Sequence, residues 1–407
     1  MLAAVVLPFL VTPLAIAQVA ARADGTARLI VKLRAETTAP TTTRRQARSH
    51  TDRVRNLVER SALQLRASRD LGNGMVGLAL QSPLAGAALD EILATLRADP
   101  DIEFAEIDQR RYARALPNDP LYSSQWYLQG VETSATNFET AWDTTTGAAD
   151  TVIAVLDTGI RFEHPDLAGR VLPGYDFVDR DSASSFATAN DGNGWDSDAS
   201  DPGDWMTSDD LRSSVFANCQ QELPSGSSWH GTRVAAMIIA ATNNSMGMAG
   251  GLWNGNVLPV RVLGKCGGYD SDIIAGMRWA AGLPVAGAPP NPTPARILNL
   301  SLGGPGSCVS SYRTAFAALA EAGVLVVASA GNDSGPVETP ANCSGVLAVA
   351  GLRQVGTKVG YSSLGSEVAI SAPAGNCPEL DTTFLCRYSL VTADNTGQTV
   401  PASSTYT

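Results

Sequence analysis

The sequence predicts an α/β protein with a doubly wound, mostly parallel sheet, preceded by a small α+β domain. Three observations predict it. From residue 151 onward, short runs rich in Val, Ile and Leu recur, with helical patterns between several of them. Runs without polar alternation belong to strands covered by helices on both faces. Polar residues follow the carboxyl ends of those runs, which is where open parallel sheets bind ligands. Upstream, the order strand, helix, strand, helix, strand describes a separate unit of about 80 residues.

Each element can be justified in order. Residues 2–17 are apolar and end in Ala15-Ile16-Ala17 before Gln18, the pattern of a secretory signal with a small-residue cleavage site. The run is short for a membrane anchor, and no Lys or Arg precedes it. Residues 28–33 (RLIVKL) and 75–80 (MVGLAL) read as strands, and so does 101–108 (DIEFAEID). Between them, 43–66 has helical apolar spacing at Val54, Leu57, Val58 and Leu63, and 85–98 forms a second helix. RRYARALPND (110–119) is a basic linker with Pro117, with processing expected near Arg111–Leu116. The expected division is 1–17 signal, 18–115 first domain and 116–407 main domain.

In the main domain the strand candidates are TVIAVLD, NVLPVRVL, ARILNLSL, GVLVVASAGN, GVLAVAG and EVAISAP. Helices are expected near 231–241, 270–281 and 310–322. Asp157, Ser301 and Asn332 stand at the ends of three of these strands.

Composition narrows the function. The chain has 407 residues, 44% apolar and 17% charged, with a net charge of −11. That balance argues against a general nucleic-acid binder, whose affinity rests on Lys and Arg against phosphate. After the N-terminal run no segment is apolar enough to span a membrane. The charge is uneven. Residues 18–115 carry 16 basic and 12 acidic residues, net +4; 116–407 carry 13 and 28, net −15. A basic body ahead of an acidic one predicts docking by complementary fields. All six cysteines lie after residue 200, with no CxxC, so disulfides are expected rather than a zinc ribbon.

Asp157 ends an apolar strand, where its carboxylate is held rigidly; taken alone, it could be an N-cap or turn residue. His230 opens an apolar helix in Trp229-His230-Gly231-Thr232. Of three histidines, His50 lies in the basic first domain and His164 in a loop, so His230 is the best general-base candidate. Asn332 follows Ser329-Ala330-Gly331, and a side-chain amide there can donate to an oxyanion, although Gly-Asn is also common turn chemistry.

Taken together, Asp157-Thr158-Gly159, His230-Gly231-Thr232, Asn299-Leu300-Ser301-Leu302-Gly303-Gly304 and Ala330-Gly331-Asn332, in that order, resemble the subtilisin-like serine proteases. The resemblance covers 116–407, while 25–110 resembles the ferredoxin-like inhibitory propeptide of that family. It implies that Asp157 orients His230, that His230 serves a serine nucleophile as base, and that Asn332 donates to the oxyanion. It implies that Ser301, Leu302, Gly303, Ser329, Ala330 and Gly331 flank the pocket for the residue before the cut. Gly267, Gly268 and Tyr269 would offer a backbone edge to an extended polypeptide substrate.

The family's nucleophile lies in a Gly-Thr-Ser-x-Ala motif, which this chain does not contain. No other serine sits in a nucleophile setting, and G-x-S-x-G is absent. The expectation is a secreted protease precursor without its serine segment, inactive as it stands. A non-catalytic peptide binder using the same groove is the alternative. A metal hydrolase is the weakest reading, because no HExxH pair exists. Arg233 stands where the family commonly has a second His.

The resemblance also implies structural calcium. Asp119, Asp166 and Asn244 match side-chain ligands, with carbonyls of Thr242, Met246 and Met248 completing an oxygen cage. Residues 176–210 hold ten Asp and one Arg and read as a solvated acidic insertion bordering the cleft. Asp191–Asp198 has a calcium-loop rhythm but lacks the closing bidentate Glu. A Cys219–Cys266 bond would pin that insertion to the cleft rim, leaving 308–343 and 377–386 as loop staples.

Overall fold

The computed structural model describes residues 26–34, 50–61, 64–109, 116–219, 221, 223–375 and 388–407. The signal segment, residues 110–115 of the processing linker and the 377–386 pairing lie outside these residues. The chain divides into two compact units, Met1–Ala113 and Arg114–Thr407.

The first unit runs β1 (Thr26–Leu33), α1 (His50–Ser61), β2 (Leu65–Gly72), β3 (Met75–Leu84), α2 (Gly86–Ala98) and β4 (Ile102–Ile107). Its antiparallel sheet has the order β2-β3-β1-β4, the ferredoxin-like arrangement. Leu29, Val31, Val76 and Leu78 alternate inward and meet Leu57 of α1 with Leu93 and Leu96 of α2. One expectation is corrected. The helical reading of 43–66 extends too far, because α1 stops at Ser61 and β2 follows. β2 is a polar edge strand, so its sequence carries little alternation. It is registered on β3 through the turn at Asn73-Gly74, both left-handed at φ 52° and 78°. Asn-Gly is the favoured pair for that hairpin turn.

The second unit is built around a seven-stranded parallel sheet. After the short helix α3 (Phe138–Trp142) come β5 (Gly147–Asp157), β6 (Tyr175–Asp176) and α4 (His230–Ile239). Then follow β7 (Asn254–Arg261), α5 (Asp270–Ala280), β8 (Ile297–Leu300) and α6 (Ser310–Glu321). β9 (Leu325–Ser329), β10 (Val346–Leu352) and β11 (Val368–Pro373) complete the sheet. Its order is β11-β10-β9-β8-β5-β7-β6, so β5 lies between β8 and β7. Chain order reverses at β5, which places a crevice at the carboxyl end of that strand. A hairpin of β12 (Ala393–Asn395) and β13 (Ser404–Tyr406) packs beside α4.

Alternation along β5 explains the two layers. Ala154 and Leu156 enter one core with Met277 and Trp279 of α5 and Phe316 and Leu319 of α6. Val155 points the other way, to Ala235, Ala236 and Ile239 of α4. With helices on both faces, every strand can be apolar throughout.

Candidate active site

β5 ends in Asp157, whose carboxylate is buried. α4 begins at His230, presented by Trp229 in a left-handed turn at φ 50°. The Trp229 ring is buried, and its Nε1 donates to the Gly397 carbonyl at 2.8 Å. Gly231 is required here: a Cβ on it would stand 2.1 Å from the Gly159 carbonyl oxygen. The helix start therefore packs directly on the Asp-Thr-Gly turn.

His230 Nδ1 lies 2.8 Å from Oδ1 and 2.9 Å from Oδ2 of Asp157. The side chain of His230 is 43% exposed, and its Nε2 has no hydrogen-bond partner among the described residues. The Asp157 charge raises the pKa of His230, outweighing the opposing effect of burial. His164 is different. Its buried ring accepts from the Asp166 amide at Nδ1 and donates to the Thr405 carbonyl through Nε2. Both nitrogens are used, so His164 is a structural residue.

A second layer fixes the pair. Thr158 donates its backbone N–H to Asp157 Oδ1 and its hydroxyl to Asp201 Oδ2 at 2.6 Å, and the same hydroxyl accepts from Gly231 N. Burial pushes the Asp201 carboxyl up to about 6, with the Thr158 hydrogen bond opposing. Asp204 holds both the N–H and the hydroxyl of Ser228, two residues before His230. Arg233, in place of the expected His, faces Asp394 of β12 with two nitrogens at 3.1 and 2.8 Å. Asp201 and Asp204 belong to the segment that reads as a solvated acidic insertion, and nothing in the sequence around Asp394 marks it as a partner of Arg233.

A groove of about 990 Å³ reaches Asp204 and Ser228, two residues before His230, while neither Asp157 nor His230 itself lines it. Gly267 and Gly268 form one side, and Ser301, Leu302, Gly303, Ser329, Gly331 and Asn332 another. Tyr269 stands at the N-terminus of α5, half exposed, and Ala330 is buried beneath the surface; neither lines the groove. Cys219 and Cys266 also line it and are bonded to each other, and Cys308 pairs with Cys343. Glu338 was not expected there. Its Oε1 accepts the Asn332 N–H at 3.1 Å.

The acidic insertion needs correction. It is not simply a solvated run: Asp176 and Asp201 are buried. Arg261 of β7, itself fully buried, reaches Asp176 and Asp191, and this cation draws the insertion inward. Asp191, Asp196 and Asp198 accept N–H groups of their own loop, and no cluster of three His, Cys, Asp or Glu residues suits a metal among the described residues.

Asp119 and Asp166 approach each other from two segments, both buried. Asp119 accepts the amides of Asn243 and Asn244, and Asp166 accepts from the Asn244 side chain at 2.7 Å and the Met248 amide at 2.8 Å. Burial raises the Asp119 carboxyl, and Asp166 adds to that shift.

Residues 148–407 match the model of the subtilase family. The chain belongs to the subtilase family. An extracellular protease of Xanthomonas campestris is 40% identical over 347 residues, covering 85% of this chain and 55% of that protein. An extracellular basic protease of Dichelobacter nodosus is 36% identical, covering 87% and 57%. Among solved structures, a protease from Pseudoalteromonas arctica shows 41% identity and a TM-score of 0.65, over 72% of this chain and 81% of that one. This subtilase thus spans little more than half the length of those two curated relatives.

Proposed function

We propose that this subtilase is the main part of a secreted serine endopeptidase precursor. The observation that carries the reading is the Asp157–His230 pair at the carboxyl end of the central strand, beside an open groove. Two disulfides and relatives named as extracellular proteases support export.

In this mechanism His230 Nε2 takes the proton of a serine hydroxyl as its oxygen attacks the substrate carbonyl. Asp157 holds Nδ1–H and stabilises the imidazolium that forms. The Asn332 side chain donates to the carbonyl oxygen as it gains charge. His230 then gives its proton to the leaving amine, and water repeats the sequence to release the acyl group. The substrate lies extended along Gly267–Tyr269, adding as a strand. The motif that would carry the serine is not in residues 1–407, so these residues alone are proposed to bind but not to acylate. The alternative reading is a non-catalytic peptide binder that uses the same groove.

Residues 18–115 are proposed as a propeptide that inhibits the main unit, by the charge asymmetry noted above. Asp119, Asp166 and Asn244, with carbonyls of Thr242, Met246 and Met248, would hold a structural calcium. Two buried carboxylates with no Lys or Arg among their described ion-pair partners suit a hard divalent cation.

Labelling with a serine-directed fluorophosphonate tests the reading. Protein expressed from the coding sequence continued past codon 407 should label, and its His230→Ala variant should not. A stop codon there with a stable secreted product favours the binder, and labelling that survives His230→Ala removes His230 as the base.

A further inference from the structure

We propose that Glu338 makes the pocket beside Asn332 a site for a lysine or arginine side chain, so that cutting follows basic residues. This deepens the protease reading and rests on it for the placement of substrate.

The backbone sets Glu338 between the two pocket walls. Its N–H donates to the Ala330 carbonyl at 3.0 Å, in the wall after β9. The next residue, Thr339, exchanges two backbone bonds with Gly304, in the wall after β8. The Glu338 side chain lies across the space between them. A Cβ on Gly331 would stand 2.1 Å from Oε1, and one on Gly303 would stand 3.2 Å from Oε2. In this position the carboxylate occupies the space that a side chain at Gly331 would fill and lies close to Gly303 on the opposite wall.

The carboxylate is only partly satisfied. Oε1 accepts the Asn332 N–H at 3.1 Å and lies 3.4 Å from the Ser363 hydroxyl. Oε2 accepts no hydrogen bond, and Glu338 has no cationic partner, among the described residues. Two of the other acids of the groove are engaged: Asp204 is taken up by Ser228, and Asp270 accepts from Tyr312 at 2.9 Å. Asp333 is exposed and, like Glu338, has no cationic partner among the described residues, but only Glu338 lies between the two walls. Among the described residues the groove lining contains Asp204, Asp270, Asp333 and Glu338 but no Lys, Arg or His. Its field attracts cations, and Glu338 gives that attraction a fixed end point. A lysine or arginine stem packs on the flat glycine walls while its head reaches Oε2. An acidic side chain would meet a like charge that is partly exposed and only partly screened, and be disfavoured.

The test uses peptide anilides that differ only in the residue before the cut: Arg, Lys, Leu, Phe or Glu. Protein secreted from its continued coding sequence should show kcat/KM for Arg or Lys at least about 10-fold above Leu. Glu338→Gln should lower the Arg-to-Leu ratio about 10–100-fold, and Glu338→Lys should invert the order of Arg and Glu. The ratio is internal to each variant, so a partly folded preparation does not distort it. If neither variant folds, rising salt should still shrink the wild-type ratio. Turnover with Leu or Phe preferred, an unchanged ratio in Glu338→Gln or a salt-insensitive wild-type ratio overturns the inference and leaves the protease reading intact. Should no substrate turn over, the protease reading fails, and binding of acetylated tetrapeptide amides to the 407-residue chain decides the inference. Tighter binding of the Arg peptide, lost in Glu338→Gln, supports it; equal binding of Arg and Leu peptides overturns it.

Discussion

The Asp157 carboxylate grips His230 through one nitrogen alone, with both of its oxygens within 2.9 Å of Nδ1. That contact fixes the proton on Nδ1 and leaves Nε2 as the basic atom. It also raises the pKa of His230, chiefly by the nearby negative charge. A base must be neutral, so cleavage should fall as pH drops through that raised value. Asp157→Asn should move the acid limb to lower pH and cut turnover about 10⁴-fold. Stability runs the opposite way: the contribution of the pair is complete below the unfolded histidine value of about 6.5 and fades as pH rises through the folded one. Profiles of kcat/KM and of the urea midpoint against pH check both limbs. An unmoved acid limb in Asp157→Asn would reject the pairing.

Arg261 is fully buried and holds Asp176 and Asp191, with a further bond to the Ala189 carbonyl. Removing the cation strands at least one buried carboxylate. Arg261→Leu should therefore cost about 3–5 kcal/mol. A double variant that also carries Asp176→Asn should recover part of that loss. Denaturant titrations of both variants measure the difference, and equal losses would show that the cation does not hold the insertion.

Much of this was legible in the sequence, for reasons that also explain what was not. The strands of the parallel sheet are continuous apolar runs, and such runs announce themselves without any partner information. Asp157 and His230 stand beside glycines that the close approach of α4 to β5 demands, so the packing leaves a mark in the chain. Glu338 leaves no such mark. It reaches the groove only because Thr339 pairs with Gly304, 35 residues earlier, and that pairing has no local signature. β2 was hidden because an edge strand need not alternate. Arg261 did leave a signal, a charge inside the apolar run NVLPVRVL, but nothing local in the sequence ties it to the Asp-rich segment about 50–85 residues earlier, and only the fold brings them together.

Cys219 and Cys266 close a loop of 47 residues at the rim of the groove. Chain entropy alone assigns such a closure up to about 4 kcal/mol. The paired Cys219→Ser and Cys266→Ser variant should lower thermal stability and speed proteolytic nicking within 204–226. His230 and Gly231 lie inside the closed loop, but the hydrogen bonds that hold the Asp157–His230 contact run to Thr158 and involve neither cysteine, so labelling of the active serine should survive the change. Loss of labelling in a folded double variant would mean that the loop also shapes the catalytic end of the groove.

The buried pair Asp119 and Asp166 makes opposite predictions with and without calcium. Without the ion, burial and mutual repulsion raise the Asp119 carboxyl, so the folded form holds its proton more tightly than the unfolded chain. Stability contributed by that proton is present at low pH and lost as pH rises from about 4 through the folded value. With calcium bound, the ion favours both carboxylates, and stability should climb over the same range. Saturating calcium should raise the melting temperature near neutral pH by about 5 °C, and a chelator should reverse it. Asp166→Asn should abolish the calcium response, and terbium luminescence, excited through Tyr406 at 3.1 Å from Asp166, should vanish with it. If the wild-type melting curves in chelator and in calcium coincide at every pH, the two carboxylates are a hydrogen-bonded joint and not a metal site.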